Sequence, residues 1–160
     1  MSDKFIPADA PAGAGTRLQE LADAGVPGHL RPWLAGTGVG ALVVKMGIRF
    51  LEMTPERMVA TMPVEGNTQA FGILHGGAHV VMAETLGSFA ASIHAGPGRM
   101  ALGIEVGATH HRSAAAGLVT GTATAIQLGN TLAVHEVVMT DEAGRRLSTA
   151  RITNLIRDAR

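Results

Sequence analysis

The sequence predicts an α+β domain in which a curved antiparallel sheet wraps round one long central helix. Residues 78–95 contain no proline and end at Gly96-Pro97, which predicts a long helix. Its apolar residues cover more than one face, so we expect the helix to be buried on most sides. The segments before and after it alternate polar and apolar residues with the period of two that is typical of strands. A sheet that curves round such a helix covers it on those sides.

The strands follow from this alternation and from the turns that separate them. A Thr54-Pro55-Glu56 turn joins the first two into a hairpin, and Gly129-Asn130 is a tight turn between two later strands. A further turn at 141–144 leads into the last strand. The predicted strands are 46–53, 57–63, 100–108, 120–128, 132–140 and 146–156.

The start of the chain differs in composition from the rest. Residues 1–36 are expected to form a flexible arm with short helical pieces at 16–24 and 30–34, and residues 37–160 the main domain. Glycines at 36, 38 and 40 superficially resemble a phosphate-binding loop. No strand precedes them and the spacing differs from that of a dinucleotide-binding loop, so we do not predict a nucleotide site there.

Composition excludes several classes of function. The 160 residues suit a single domain, and 13 basic against 13 acidic residues leave no net charge to attract nucleic acid or an anionic membrane. The absence of cysteine excludes disulfides, thiolate metal sites and cysteine nucleophiles. No long apolar stretch predicts a membrane span, and the first residues do not resemble a signal peptide, so a cytoplasmic location is expected.

Glu84 is the unusual residue of the predicted helix. It is the one acidic residue between Gly66 and Ile104, and we expect it to be buried there. A buried carboxylate is costly unless it is neutralised or hydrogen-bonded. One interpretation is a structural glutamate that accepts hydrogen bonds, and the other is catalysis, because burial raises the pKa of a carboxyl group toward the range useful to a base.

The neighbours of Glu84 favour catalysis. Ser88 lies four residues further on and therefore on the same helix face, where it is placed to bond the carboxylate or a water. Gly76 and Gly77 present backbone amides at the helix start, where the N–H groups and the helix dipole favour a developing anion. His75 precedes them and is placed either to position a carbonyl oxygen or to play a structural role.

Residues 69–88, QAFGILHGGAHVVMAETLGS, resemble the signature of the hotdog-fold acyl-CoA thioesterases. The most similar branch contains the phenylacetate-pathway thioesterases and the Arthrobacter-type 4-hydroxybenzoyl-CoA thioesterase. The resemblance runs from about residue 47 to the C-terminus and omits the first 30 or so residues. A histidine-glycine-glycine run followed by a helical glutamate is more specific than either feature alone.

The resemblance implies homodimers joined edge to edge, often paired into homotetramers, with active sites at the dimer interface. Glu84 would be the nucleophile or general base, and the Gly76 N–H would bind the thioester oxygen. The remaining implied site residues are Gln69 and His75 to orient that oxygen, Ser88 for the water, and His110 and Arg112 for the coenzyme A part. Gly77 and Phe71 are also expected to bind substrate, and a pocket lined by Phe71, Leu86 and Phe89 would accept an aromatic ring or a medium alkyl chain. No metal or redox cofactor is implied, since coenzyme A is part of the substrate.

Three other functions were weighed. A metal site would use His75 and His79 with Glu84 or His110, but these residues lack the spacing of known zinc motifs. Hotdog folds also include enoyl-thioester hydratases or dehydratases and non-catalytic acyl-CoA-binding proteins. A thioesterase releases thiol from acyl-CoA, a hydratase alters the acyl chain without releasing thiol, and a binding protein does neither.

Overall fold

The computed structural model describes residues 14–159, with side chains described from residue 17 onward. The strands are β1 (Arg49–Met53), β2 (Arg57–Pro63), β3 (Arg99–His110), β4 (Leu118–Leu128), β5 (Leu132–Thr140) and β6 (Arg146–Asp158). The helices are α1 (Ala14–Asp23), α2 (Arg31–Leu34), α3 (Ala41–Lys45) and the long α4 (Gly76–Ala95), with a 3-10 turn at Gly28–Leu30. None of these helices combines the length and apolar character needed to cross a membrane.

The six strands form one antiparallel sheet with the order β1-β2-β4-β5-β6-β3. Register shifts interrupt the pairing between Gly103 and Glu105 on β3 and between Ala125 and Gln127 on β4. Such bulges bend a strand and increase its twist, so the sheet curves round α4 as predicted. β3 is an edge strand that pairs only with β6 within the described chain.

Most predicted elements are confirmed, and the first strand is the main correction. β2 and β5 have the predicted bounds, whereas β3, β4 and β6 extend one or two residues further. β1 begins at Arg49 rather than at residue 46, because Met46 is the C-cap of the unpredicted helix α3 and Gly47 turns the chain with a φ of +67°. A helix of five residues is too short to show a helical period in the sequence.

Two glycines set the position of α4 on the sheet. A Cβ at Gly121 of β4 would lie 2.6 Å from the Sδ of Met82, and a Cβ at Gly87 of α4 would overlap the side chain of Ile152 on β6. Met82 and Ile152 are completely buried. The helix therefore crosses the sheet in close contact, and the Gly87–Ile152 contact places the middle of α4 directly over β6.

The segment before β1 packs into the same core. Leu21, Val26, Leu30 and Leu34 are buried in one cluster with the α4 and sheet residues. The helical pieces predicted at 16–24 and 30–34 are confirmed, since α1 and α2 occupy them. Of the arm predicted to be flexible over 1–36, residues 1–13 lie outside the described residues, whereas 14–36 fold onto the core, and the division of the chain at residue 37 stays a prediction.

Candidate active site

The start of α4 is capped by a histidine. His75 is the N-cap residue, and its Nδ1 accepts a hydrogen bond of 2.8 Å from the N–H of Gly77. A neutral imidazole that accepts at Nδ1 carries its proton on Nε2, so the outer nitrogen of His75 is a donor. The N–H of Gly76, the first residue of α4, has no acceptor in the described part of the chain.

A groove of about 290 Å³ opens beside this end of the helix. We call it the amide groove, and its lining includes Gln69, Ile73, Gly76, His79, His110 and Arg112. Four residues predicted for the site, two for the thioester oxygen and two for coenzyme A, therefore lie round one opening. Its charged and polar groups include hydrogen-bond donors, which suit an anionic or carbonyl-bearing ligand.

His110 lies directly against Gly76. A Cβ at residue 76 would lie 2.8 Å from Nε2 of His110, so a side chain there would displace the ring. The Nδ1 of His110 is 2.9 Å from the Oγ of Ser148, which donates its own hydrogen to the carbonyl of Thr109 at 3.1 Å. Because that hydrogen is used, Ser148 accepts from the Nδ1–H of His110.

His79 completes the wall of the amide groove. Its side chain is buried, its ring centroid lies 5.3 Å from that of His110, and its Nδ1 has no hydrogen-bond partner among residues 14–159. Burial, and secondly the nearby His110, lower the pKa of His79 to about 4. The ring is therefore uncharged at neutral pH. No group of three or more His, Asp or Glu residues within 14–159 is arranged to hold a metal ion.

Glu84 lies in a second groove, of about 340 Å³, between α4 and the edge strand β3. We call it the carboxylate groove, and its lining includes Val80, Glu84, Gly103, Ile104, Glu105 and Ile152. The prediction that Glu84 is buried is wrong for the single chain, where its side chain is exposed. The reason is that β3 ends the sheet, so no further strand covers this side of the helix.

Ser88 does not bond the Glu84 carboxylate, one of its predicted partners. Its Oγ donates instead to the Oδ1 of Asn154 on β6, at 3.1 Å. A Cβ at Gly103 of β3 would lie 3.6 Å from the Oε1 of Glu84 and 3.8 Å from the oxygens of both Ser88 and Asn154. Three side-chain oxygens thus surround a position that glycine leaves open.

The two grooves lie apart in the single chain. Gly76 and Glu84 are eight residues apart on α4, which corresponds to about 12 Å along a helix. Each lines its own groove. The described chain therefore does not bring the predicted oxyanion donor and the predicted catalytic carboxylate to one point.

The residues predicted for the acyl group divide between surface and core. Phe71 is 86% exposed on the loop before α4. Leu86 is completely buried in the core, so its predicted place in an acyl pocket is wrong. Phe89 is partly buried and packs edge-on against Phe50, with the ring centroids 5.3 Å apart.

The comparisons with known proteins agree with this architecture. Residues 71–148 match the model of the thioesterase superfamily. The proofreading thioesterase EntH of Cronobacter turicensis is 40% identical to this chain over 124 residues, which cover 77% of this chain and 90% of that protein. This chain belongs to the thioesterase superfamily. A putative esterase of Deinococcus radiodurans is 44% identical to this thioesterase over 115 residues, covering 71% of this chain and 72% of the relative.

Solved structures confirm the hotdog fold. Thioesterase HI1161 from Haemophilus influenzae superposes with a TM-score of 0.71 at 32% identity, covering 78% of this chain and 86% of that one. A mutant form of thioesterase PA1618 from Pseudomonas aeruginosa gives a TM-score of 0.70 at 36% identity, and the match covers 78% of this chain and 88% of that one. The protein is accordingly a thioester hydrolase.

Two residues at or near the carboxylate groove, Gly103 in its lining and Asn154 behind it, have no role in the prediction from sequence. Asn154 was assigned to a strand without a role, although the alternation of β6 turns it inward with Ala150, Ile152 and Ile156. An asparagine on the apolar face of a strand is a signal that sequence alone contains. Gly103 had no such signal, because its importance depends on which side chains of α4 lie beside it.

Proposed function

We propose that this thioesterase hydrolyses an acyl-CoA thioester to a free acid and coenzyme A, at a site formed between two copies of the chain. The observation that carries the proposal is the distribution of groups between the grooves. The amide groove offers an unused N–H at a helix start, and the carboxylate groove offers an exposed glutamate beside a free sheet edge. Thioester hydrolysis needs both, one for the developing oxyanion and one to activate the nucleophile.

We propose that β3 pairs with β3 of a second copy. Its outer backbone groups have no neighbouring strand in the described chain, and Leu102 and Ile104 are 37% and 57% exposed along it. An unpaired edge with exposed apolar side chains favours pairing with another chain. Two-fold pairing would carry the Gly76 end of one helix toward Glu84 of the partner, and would cover the side of α4 that is open in the single chain.

In the proposed reaction Glu84 acts as general base or as nucleophile. In the first route it takes a proton from water while the water oxygen bonds the acyl carbon, and the carbonyl electron pair moves onto oxygen. The Gly76 N–H stabilises that oxyanion by about 3 kcal/mol, with His75 and Gln69 orienting it. When this tetrahedral intermediate collapses, the C–S bond breaks, and the released thiolate takes the proton from Glu84. In the second route the carboxylate bonds the acyl carbon and the C–S bond breaks to release the coenzyme A thiolate, after which water cleaves the mixed anhydride and restores the carboxylate.

We propose that the coenzyme A part lies along the amide groove. His110 and Arg112 are positioned there, and a guanidinium suits phosphate by both charge and geometry. Gly77 allows close approach of the backbone at the same helix end. For the acyl part we propose an aromatic or a short to medium alkyl group, as in the phenylacetate and 4-hydroxybenzoyl branch that the signature resembles.

Thiol release from a panel of acyl-CoAs tests the proposal. The panel contains phenylacetyl, 4-hydroxybenzoyl, short and medium alkyl and 2-enoyl esters, assayed with the parent and with Glu84→Gln. Release that Glu84→Gln abolishes supports the proposed function, and the best ester identifies the acyl class. Hydration of the 2-enoyl ester without thiol release would instead identify a hydratase, and binding without turnover a binding protein.

A mass measurement in solution tests the proposed assembly. Light scattering coupled to size exclusion should give a homodimer or the homotetramer that the resemblance implies. Ile104→Arg places a charge on the exposed edge and should give monomers that release no thiol. An active monomer would contradict the shared site.

A further inference from the structure

We propose that Asn154 is a positioning residue that makes Ser88 a hydrogen-bond acceptor for the attacking water. The inference rests on the proposed function and deepens it, because it favours the route in which Glu84 activates water. Asn154 is completely buried on β6 and contacts neither groove opening directly. Its effect on the reaction would pass through Ser88.

The fold places Asn154 opposite Ser88 by register and by helix packing. Residues 150, 152, 154 and 156 of β6 turn toward α4, and the close Gly87–Ile152 contact fixes the helix over that strand. The next helix residue, Ser88, then meets the next inward strand residue, Asn154. On β3, the residue paired with Asn154 is Gly103, which adds no side chain to this space.

The hydrogen bond decides which way Ser88 can bond. A serine hydroxyl has one hydrogen and two lone pairs, and the hydrogen of Ser88 is donated to the Oδ1 of Asn154 at 3.1 Å. Ser88 can therefore only accept from a further partner. Without Asn154, the hydroxyl would be free to donate to the carboxylate of Glu84, which would occupy the base.

A water in the space beside Gly103 would then have one orientation. It would donate one hydrogen to Ser88 Oγ and the other to Glu84, since both are acceptors that border this space, 3.8 and 3.6 Å from where a Cβ of residue 103 would lie. The lone pairs of the water would face away from both, toward an acyl carbon in the groove. Glu84 takes its proton as the C–O bond forms, so the orientation matches the general-base step.

The state of the Asn154 amide supports a role beyond packing. Its Nδ2 is buried and has no hydrogen-bond partner in the described part of the chain. Buried polar atoms are nearly always paired, and the exceptions in native proteins call for an explanation. A leucine of similar size would fill the site without that unpaired donor, so the amide is retained at a cost to stability that its bond to Ser88 would explain.

A double-mutant cycle tests the proposal. Thiol release is measured for the parent, Asn154→Leu, Ser88→Ala and the double variant, with the best ester of the panel. We expect Asn154→Leu to lower kcat by about tenfold or more with KM within about twofold. In the Ser88→Ala background the same change should alter kcat by less than about twofold, because residues that act through one another are not additive.

Two further variants separate positioning from structure. Asn154→Asp keeps an oxygen that accepts the Ser88 hydrogen and should retain more kcat than Asn154→Leu. His135→Gln is the matched control: His135 is completely buried on β5, bonds the carbonyl of Pro55, and also has a buried nitrogen without a partner among the described residues. It should change the unfolding midpoint and leave kcat within about twofold. If Asn154→Leu does not fold, the cycle uses Asn154→Ala.

The outcomes separate this inference from the proposed function. If the parent releases no thiol, both are wrong. If release depends on Glu84 but Asn154→Leu leaves kcat unchanged, or lowers it equally with and without Ser88, the positioning role is wrong and the thioesterase stands. A drop in kcat that disappears in the Ser88→Ala background supports both.

Discussion

The two grooves of this thioesterase carry different functional groups. The amide groove lies at the helix start, with the unused Gly76 N–H and Arg112, beside the outer N–H of the capping His75. The carboxylate groove is lined by Glu84, and Ser88, close to Gly103 of the same groove, has already donated its hydrogen. One helix carries both, yet they lie two turns apart. The difference is that donor and carboxylate lie at separate grooves of one chain, and under the proposed function a second copy would bring them together.

Removing the base should have the largest effect. Glu84→Gln keeps the size of the side chain but cannot take a proton, so we expect kcat to fall by about a thousandfold or more. Glu105→Gln is the matched control, because Glu105 is a second exposed carboxylate beside the same groove, 3.8 Å from Arg151. The kcat of Glu105→Gln should fall by less than about fivefold. Equal losses would show that the groove needs charge rather than Glu84 itself.

Removing the donor from the other groove should have the next largest effect. Gly76 is the first helical residue and follows an extended His75, so the backbone there suits proline, which removes the N–H. Gly76→Ala is the control, because it adds the same contact with His110 but keeps the N–H. We expect kcat of Gly76→Pro to be about a hundredfold or more below that of Gly76→Ala. Similar rates would mean that another group holds the oxyanion.

Mixing the two inactive variants tests whether the grooves meet across a dimer. Glu84→Gln and Gly76→Pro are unfolded together and refolded at equal concentration. Random pairing makes about half of the dimers heterodimers that contain one chain of each variant. One of the two sites in each heterodimer has both groups intact, so about a quarter of the parental activity should return. A mixture as inactive as its components, with dimers verified by mass, would contradict the shared site.

Removing the cation of the amide groove should have a smaller effect. Arg112 is exposed and donates to the carbonyl of Arg146 at 3.1 Å, so Arg112→Ala should fold normally. We expect KM for an acyl-CoA to rise about five- to tenfold, because one charge-assisted phosphate contact is lost. KM for the matching N-acetylcysteamine thioester, which lacks phosphate, should not change. Arg157→Ala, at the exposed end of β6, is the control.

The buried histidine of the amide groove should affect stability more than activity. Burial lowers the pKa of His79 to about 4, so the unfolded chain binds more protons than the folded one between about pH 4 and pH 6.5. Stability is therefore lost as the pH falls through this range, and His79 should account for roughly 2 kcal/mol between pH 7 and pH 5. Urea unfolding at fixed protein concentration measures this change in the free energy of unfolding. His79→Gln should lose less unfolding free energy between pH 7 and pH 5 than the parent does. His29→Gln, which changes an exposed histidine, should lose as much as the parent.

Local sequence determined the elements and many of the site residues. Period-two alternation and the apolar helix predicted the curved sheet round α4, and the bounds of β2 and β5 were correct, because these features depend on neighbours along the chain. The short helix α3 was missed for the same reason, since five residues hold too little of a helical period. The Gly76-Gly77 helix start and the Gln69, His110 and Arg112 lining were also predicted, and they lie at one groove.

The tertiary structure decided what those residues contact. It exposed Glu84, predicted to be buried, because strand order left β3 at the sheet edge. It gave the Ser88 hydrogen to Asn154, which lies 66 residues further along the chain. It also buried Leu86 in the core and left Phe71 on the surface. Sequence determines which groups a chain carries and which helix face they share, whereas burial and pairing depend on the strands that the sheet order brings beside that face, and these lie far away in sequence.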